Sequence, residues 1–411
     1  MGEKIIIVNP GSTSLKFKIY IFPEEEVIAA GKIERIGGEK SPYSFTLREK
    51  KITGEGKISN YKDGIKKIFK VLQEDEKPVV KSLKELSAVG FKTVHAGLLG
   101  CGPGATFLNE EVLKEMEKML VLAPAHNRYY LDAIRCFEEL IPDVPRLGLF
   151  EPAFHSTITE EKITYGIPIE WRDKFGIRRY GFHGASHRYI SQRAPVAMGW
   201  DEEKIKNGRI ISCHLGGSSS LCAIRNGVSV DTTMGFSPQS GILHSTRCES
   251  IDPFVVIFAQ KVLGYTVDDL IKIFCKDSGL AGISGTSGDM RDLYNAVESG
   301  SKLASLAIEV FFYQVRREIS AMAASLEGVD AIIFTGGIGE NGVRERMRIC
   351  DKLLWLGVKI DSKGNETIKG IEGKISSSDS RVEVWIIPTN EELIVGREVY
   401  NLLFRFSSRG R

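Results

Sequence analysis

The sequence predicts an α/β fold built from two related halves. Two strand–turn–strand units carry this prediction, and a strand–glycine turn–helix unit supports it. Ile5–Val8 is an unbroken β-branched run, the pattern of a buried strand. It ends in Asn9-Pro10-Gly11-Ser12-Thr13-Ser14, and a second strand follows through Leu15, Phe17 and Ile19. Ile210–Cys213 is a similar run, ending in His214-Leu215-Gly216-Gly217-Ser218-Ser219-Ser220 before a strand through Leu221 and Ala223. The units lie roughly 205 residues apart, half the 411-residue chain, the spacing of a duplicated fold with two domains facing a central cleft.

Between and after these units, strands and helices alternate, as an α/β fold requires. Gly54–Lys57 reads as a surface turn. Asn226-Gly227 is a hairpin turn leading into a strand over Val228–Asp231. Ser301–Leu326 is a long helical pattern with Leu303, Leu306, Val310, Phe311, Ile319 and Met322 as its apolar face and Gly328 as its stop. Ala331–Phe334 is a strand feeding Gly336-Gly337-Ile338-Gly339-Glu340-Asn341, after which Val343–Leu354 reads helical. Ser376–Ser380 reads as a surface turn and Val382–Ile387 as a strand, and Pro388–Glu392 leads into a terminal helix through Leu403.

Composition bounds the class. Hydrophobic residues make up 42% and charged residues 26%, the balance of an ordinary globular protein. A formal charge of +2 offers no footprint for nucleic acid or a membrane surface. No apolar run approaches the ~18–20 residues of a membrane span. The amino terminus enters a strand at once, without a signal-peptide core, and Ile6 stands where a myristoylation signal wants Ser or Thr. Seven cysteines are scattered without a CxxC pair, which suggests reduced, buried thiols and a cytoplasmic location. Cys213 and Cys222, in strand-like runs, read as structural.

Three glycine-rich turns follow apolar strands: Gly11–Ser14, Gly216–Ser220 and Gly336–Gly339. Glycine lets backbone N–H groups approach an anion, and Ser and Thr hydroxyls add donors. One such turn is usually just a turn, whereas three in a duplicated chain point toward phosphate. None matches GxxxxGK[ST] or GxGxxG, so neither a P-loop NTPase nor a Rossmann dehydrogenase is supported. Phosphoryl transfer needs cations around a charge-rich transition state. Lys16 follows the first turn, His183 and His187 sit in Tyr180-Gly181-Phe182-His183-Gly184-Ala185-Ser186-His187, and Arg247 follows Gly235 in a Gly/Ser/Pro-rich loop. A histidine in such a turn reads equally as structural.

Asn9–Phe17 (NPGSTSLKF) resembles the opening signature of acetate kinases, and Tyr180–His187 (YGFHGASH) is similar to that family's second signature. Asp231–Pro238 (DTTMGFSP), Ser287–Arg291 (SGDMR), Phe334–Asn341 (FTGGIGEN) and Ile387–Leu393 (IPTNEEL) resemble further family blocks in the same order. The resemblance implies duplicated actin-like, sugar-kinase-like domains, ATP/ADP and Mg²⁺ as cofactors, and a homodimer. The expected boundaries are residues 1–150, completed by about 391–405 of the terminal helix, and 151–390 with the nucleotide loops. By matching position, Asn9 and Glu391 belong to the Mg²⁺ environment, although Glu391 alone reads better as a first-turn helix carboxylate. Ser12, Ser14 and Lys16 fall near the phosphates, and His183 and Arg247 stabilise the phosphoryl group in transfer. The nucleotide is cradled by His214, Gly216, Gly217, Ser218, Gly336, Gly337, Ile338, Gly339 and Asn341, with Asp289, Met290 and Arg291 beside its ribose and base. Val94, Phe182 and Pro238 match an apolar pocket for the acceptor's alkyl end.

The sequence leaves the family pattern mostly at the acceptor end. Lys92 stands where acetate kinases usually carry Arg, keeping the charge without the bidentate fork. Glu151 stands for a catalytic Asp; its extra methylene moves the carboxylate by roughly an angstrom, a shift that can cost about 10²-fold in rate. Ala125 stands where a Leu would help close the pocket, and His126-Asn127-Arg128-Tyr129 replaces an Asn-Pro-Pro run. Gly217 replaces an Asn, and Ser240, His244 and Ser245 add polar groups around Arg247. The expected activity is ATP-dependent phosphorylation of a small acceptor, foremost a short-chain carboxylate. Two alternatives stay open: a larger hydroxylated or sugar-like acceptor, with Glu151 as general base, and a nucleotide-binding regulator without turnover.

Overall fold

A computed structural model describes residues 2–74, 76–124 and 126–405, so Ala125 lies outside the described residues. The chain divides into two compact units: one runs up to Ser156 and resumes from Asn390, and the other is Thr157–Thr389.

The first unit is organised by strands β1 (Glu3–Gly11), β2 (Ser14–Phe22), β3 (Glu26–Ile33), β4 (Ser41–Leu47), β5 (Lys50–Gly56), β6 (Leu86–Thr93), β7 (Thr106–Phe107) and β8 (Arg146–Phe150). They form one sheet in the order β5-β4-β3-β2-β1-β6-β8-β7. Ile5–Val8 is fully buried because β1 pairs antiparallel with β2 on one side and parallel with β6 on the other. Alternation along β6 serves two layers. Phe91 meets Phe137 of the helix Asn127–Leu140 edge-on, and Phe137 in turn meets Phe69 of the helix Tyr61–Gln73. Gly90, on the other face, leaves room for the helix Glu391–Tyr400: an added Cβ would come within 3.2 Å of Val395 and Val399. That close approach places Glu391 beside the carboxyl ends of the parallel strands.

The second unit contains β9 (Arg209–His214), β10 (Ser220–Arg225), β11 (Val228–Thr232), β12 (Ala331–Thr335), β13 (Gly373–Lys374) and β14 (Glu383–Ile386). Their order is β11-β10-β9-β12-β14-β13, with β9 antiparallel to β10 and parallel to β12. This repeats β3-β2-β1-β6-β8-β7 strand for strand, including an antiparallel edge strand in each case. The duplication expected from the two turn units is therefore a duplication of topology.

Some elements differ from expectation. The helix Lys302–Ser325 buries Ala304, Ala307, Ile308, Phe311, Val315, Ile319 and Met322, while Leu303 and Leu306 stay 55% and 51% exposed. The chain offers two apolar stripes there, and the sheet selects the one with small residues, which lets the helix approach closely. Gly54 lies in β5 opposite Tyr43, whose ring covers it, so the surface turn expected at Gly54–Lys57 is mostly strand. Gly336–Asn341 is a short helix rather than an open turn, and the helix from Val343 ends at Cys350. The terminal helix ends at Tyr400 and passes into a wider turn over Asn401–Arg405. Among the described residues no helix is long and apolar enough to cross a membrane.

Candidate active site

In the first unit, two of the acceptor-end departures and the expected metal residue meet on one side chain. Lys92 Nζ lies 3.2 Å from Glu151 Oε1 and 2.5 Å from Glu391 Oε2. Lys92 comes from β6, Glu151 directly follows β8, and Glu391 opens the last helix. Burial opposes the lysine's charge, but the two carboxylates outweigh it and hold the ammonium well above the ordinary lysine range. The Tyr130 hydroxyl donates to Asn9 Oδ1 at 2.8 Å, and burial raises the Tyr130 pKa. Tyr130 was not foreseen from the sequence, and no motif marks it. Asn9 pairs in register with Lys16 across the β1–β2 hairpin, and both line a small cavity of about 220 Å³ with Lys18, Lys32 and Glu392. Ser12 is exposed at the tip of that hairpin, and Ser14 begins β2 opposite Gly11. Val94 is buried just beyond β6.

The donor chemistry of this cluster suits Mg²⁺. The hard cation prefers oxygen, and it needs only one or two carboxylates because it brings waters and binds substrate phosphates. Glu391, with Glu151 and the Asn9 amide oxygen, supplies such donors. Among the described residues, no group of three or more His, Cys, Asp or Glu forms a closed cage.

In the second unit, three histidines and three serines interlock. His183 begins the helix Gly184–Ala197 in a left-handed conformation, φ 57°, which is unusual for a residue with a side chain. Its Nδ1 pairs with Ser220 Oγ at 2.8 Å, and its ring stacks on His214 with centroids 4.2 Å apart. His187 pairs with Ser220 at 2.9 Å and Ser212 at 2.9 Å, and His214 Nδ1 pairs with Ser186 at 2.8 Å. The β9–β10 register sets Ser220 opposite His214. The preceding signature residues are tied down where the Tyr180 N–H donates to the Gly235 carbonyl, and Phe182 is buried. Arg247 donates to the Pro238 carbonyl at 2.8 Å; burial lowers its pKa to about 10, so it stays charged at neutral pH. Buried His244 accepts from the Ser219 N–H through Nδ1 at 3.0 Å, and desolvation, then Arg247, pulls its pKa down to about 3.

A cavity of about 810 Å³ lies next to the glycine turns of this unit. Of the expected nucleotide residues it is lined by Gly216, Gly217, Asp289, Met290, Arg291, Gly337, Ile338 and Asn341. His214, Ser218, Gly336 and Gly339 are not part of its wall. The Leu215 carbonyl accepts from the Ile338 and Gly339 N–H groups at 2.8 and 3.0 Å, joining the two turns. Gly336 is at φ 77°, and an added Cβ would lie 2.7 Å from that carbonyl oxygen. Fully buried Arg346, unforeseen from the sequence, donates to the Gly339 carbonyl at 2.8 Å and to Asn365. Asp289 caps the helix Met290–Glu298 and bonds Arg291, which pulls its carboxyl down to about 2. Two buried hydroxyls, Ser218 Oγ and Tyr294 OH, find no hydrogen-bond partner among the described residues, and Tyr294 lines the cavity. Such donors need a partner from outside the protein, and a nucleotide fits that need.

The repeated sheet topology and the paired glycine turns define a duplicated α/β protein of the actin-like, sugar-kinase-like class. Residues 4–397 match the Acetokinase family. The acetate kinase of Dictyoglomus turgidum is 42% identical over 97% of this chain and 98% of its own. The crystal structure of acetate kinase from Porphyromonas gingivalis superposes with a TM-score of 0.85 at 34% identity, covering 98% of this chain and all of its own. A propionate kinase from Francisella tularensis also superposes at 0.85, with 32% identity over 96% of this chain and 98% of its own. The chain belongs to the acetokinase family, and is a kinase that uses ATP and Mg²⁺ to phosphorylate a carboxyl acceptor.

Proposed function

We propose that the acceptor is acetate or an acid one or two carbons longer, converted to its acyl phosphate. The observation that carries this reading is the pairing of Lys92 with Glu151: the acceptor end keeps a cation and a carboxylate in contact even though both residue types have changed. Similarity to an acetate kinase and a propionate kinase over nearly the whole chain supports it.

In this reading the acceptor carboxylate oxygen attacks the γ-phosphorus in line, the bond from that phosphorus to the β,γ-bridging oxygen breaks, and ADP leaves. His183 and Arg247 offset the charge spread over the transferring group, and Lys16 does so from the first hairpin. The serine pairing and stacking of His183 fix its ring before substrate arrives, so orientation costs little at the moment of reaction. Glu151 orients the acceptor. Asn9 and Glu391 are the residues proposed to hold Mg²⁺, which when bound neutralises the nucleotide's phosphate oxygens. Gly216, Gly217, Gly337 and Asn341 face the phosphates, Asp289 and Arg291 the ribose, and Val94, Phe182 and Pro238 the acceptor's alkyl end. A cytoplasmic homodimer is the setting we infer; all seven cysteines are free thiols, and sedimentation velocity checks the assembly.

The test is ADP formation over a panel of acids, alcohols and sugars with hydroxylamine as trap, because acyl phosphates yield hydroxamates and phosphate esters do not. Acetate, propionate or butyrate should give hydroxamate in step with ADP. ADP release with an alcohol or sugar, without hydroxamate from any acid, overturns the reading.

A further inference from the structure

We propose that the Lys92 ammonium is an internal counter-ion that, while paired with Glu151, also holds the place of the divalent cation on Glu391, so that metal and Lys92 compete for the Glu391 carboxylate. The inference rests on reading Glu391 as a metal ligand, and it adds to that reading an exchange built into the protein. Lys92, Glu151 and Glu391 side chains are only 16%, 7% and 16% exposed, and the ammonium touches both carboxylates. Two carboxylates brought together away from water repel each other and are poorly solvated, so a cation must accompany them. One ammonium leaves the trio with a net negative charge when both carboxylates are ionised. A divalent cation is therefore still attracted, but it must first replace the ammonium as the contact of Glu391. The neighbouring pair shows the contrast. Lys18 lies 3.5 Å from Glu392, with side chains 34% and 26% exposed, and its single carboxylate partner keeps more of its water. The displaced lysine remains beside Glu151 as a cation available to an anionic group.

The first experiment titrates Mn²⁺ into the full-length protein without nucleotide or acceptor and counts free metal by electron paramagnetic resonance. Lys92→Met should bind Mn²⁺ on the order of tenfold more tightly than the native protein, because the competitor is gone. Lys18→Met, the same charge change at the half-exposed pair, should stay within about twofold. Lys92→Arg, which restores a cation, should return the affinity toward native. If Lys92→Met binds no more tightly than Lys18→Met, the exchange does not occur. The native protein gives an independent arm, which decides the question should Lys92→Met fail to fold. In crystals of the native protein soaked in Mn²⁺ without nucleotide or acceptor, the metal should sit on Glu391 and the Lys92 ammonium should have left its contact with that carboxylate. No metal on Glu391, or metal there with the Lys92 contact unchanged, overturns the proposal. Neither arm contains acceptor or ATP, so failure of the acetate reading would leave these outcomes untouched, and the reverse also holds.

Discussion

Lys92 and Glu151, two positions read from the sequence as departures from the acetate kinase pattern, are ion-paired at 3.2 Å. We infer that the shorter cation and the longer carboxylate compensate each other. Lys92→Arg alone and Glu151→Asp alone should each lower kcat/KM for the best acid, and the double variant should recover much of the loss. A double-mutant cycle should give a coupling of about 0.5–3 kcal/mol, the range for residues in contact. Additive losses would mean that the pair does not act as a unit.

His183→Ala should reduce kcat by about 10²–10³-fold while leaving the KM for ATP nearly unchanged, as loss of a transition-state contact does. The ring is held by Ser220 and His214 in a left-handed backbone conformation, a cost that points to use of the side chain. Turnover close to native would remove His183 from the mechanism.

Glu391→Ala should raise the Mg²⁺ concentration needed for half-activity several-fold. Glu392→Ala should not, because that carboxylate is turned to Lys18 on the sheet. Measuring both variants checks the assignment residue by residue, and the opposite pattern would move the metal to Glu392.

Two adjacent glycines should separate folding from binding. Gly336→Ala places a Cβ 2.7 Å from the Leu215 carbonyl at φ 77°, so it should cost about 1–3 kcal/mol of stability. Gly337→Ala meets nothing within 4 Å of the new Cβ, yet Gly337 lines the cavity. It should leave Tm within a degree or two, and weaken ATP binding severalfold if the phosphates pass that close. Calorimetry on both variants decides whether this turn is a nucleotide contact or only a joint.

His244 predicts an acid limb in stability. Its folded pKa of about 3 lies below the unfolded value near 6.5, so between these values the unfolded chain binds the extra proton. The contribution is complete above about pH 6.5 and is lost as pH falls, at about 1.4 kcal/mol per unit down to about pH 3. His244→Gln, which keeps an acceptor for the Ser219 N–H, should flatten that slope. Denaturant melts of both proteins at pH 7, 6 and 5 check it, and parallel curves would show that His244 does not titrate on unfolding.

Period and turn chemistry in the sequence determined the strands, their duplication and the glycine turns. β-branched runs such as Ile5–Val8 have few alternatives to a buried strand, and the Gly/Ser turns can only lie at strand ends. Local pattern also led to most of the cavity wall, since Gly216, Gly337 and Asp289 each sit beside a local turn or cap. Tertiary structure decided what periodicity left open. It chose between two apolar stripes on the helix Lys302–Ser325, and it brought Tyr130 to Asn9, 121 positions away in the chain. Above all, it put Lys92 on Glu151 and Glu391, residues 59 and 299 positions further along. No spacing rule reaches that far. A buried charge selects its partners by the desolvation it must offset, and only the packed strand ends establish which carboxylates are within reach.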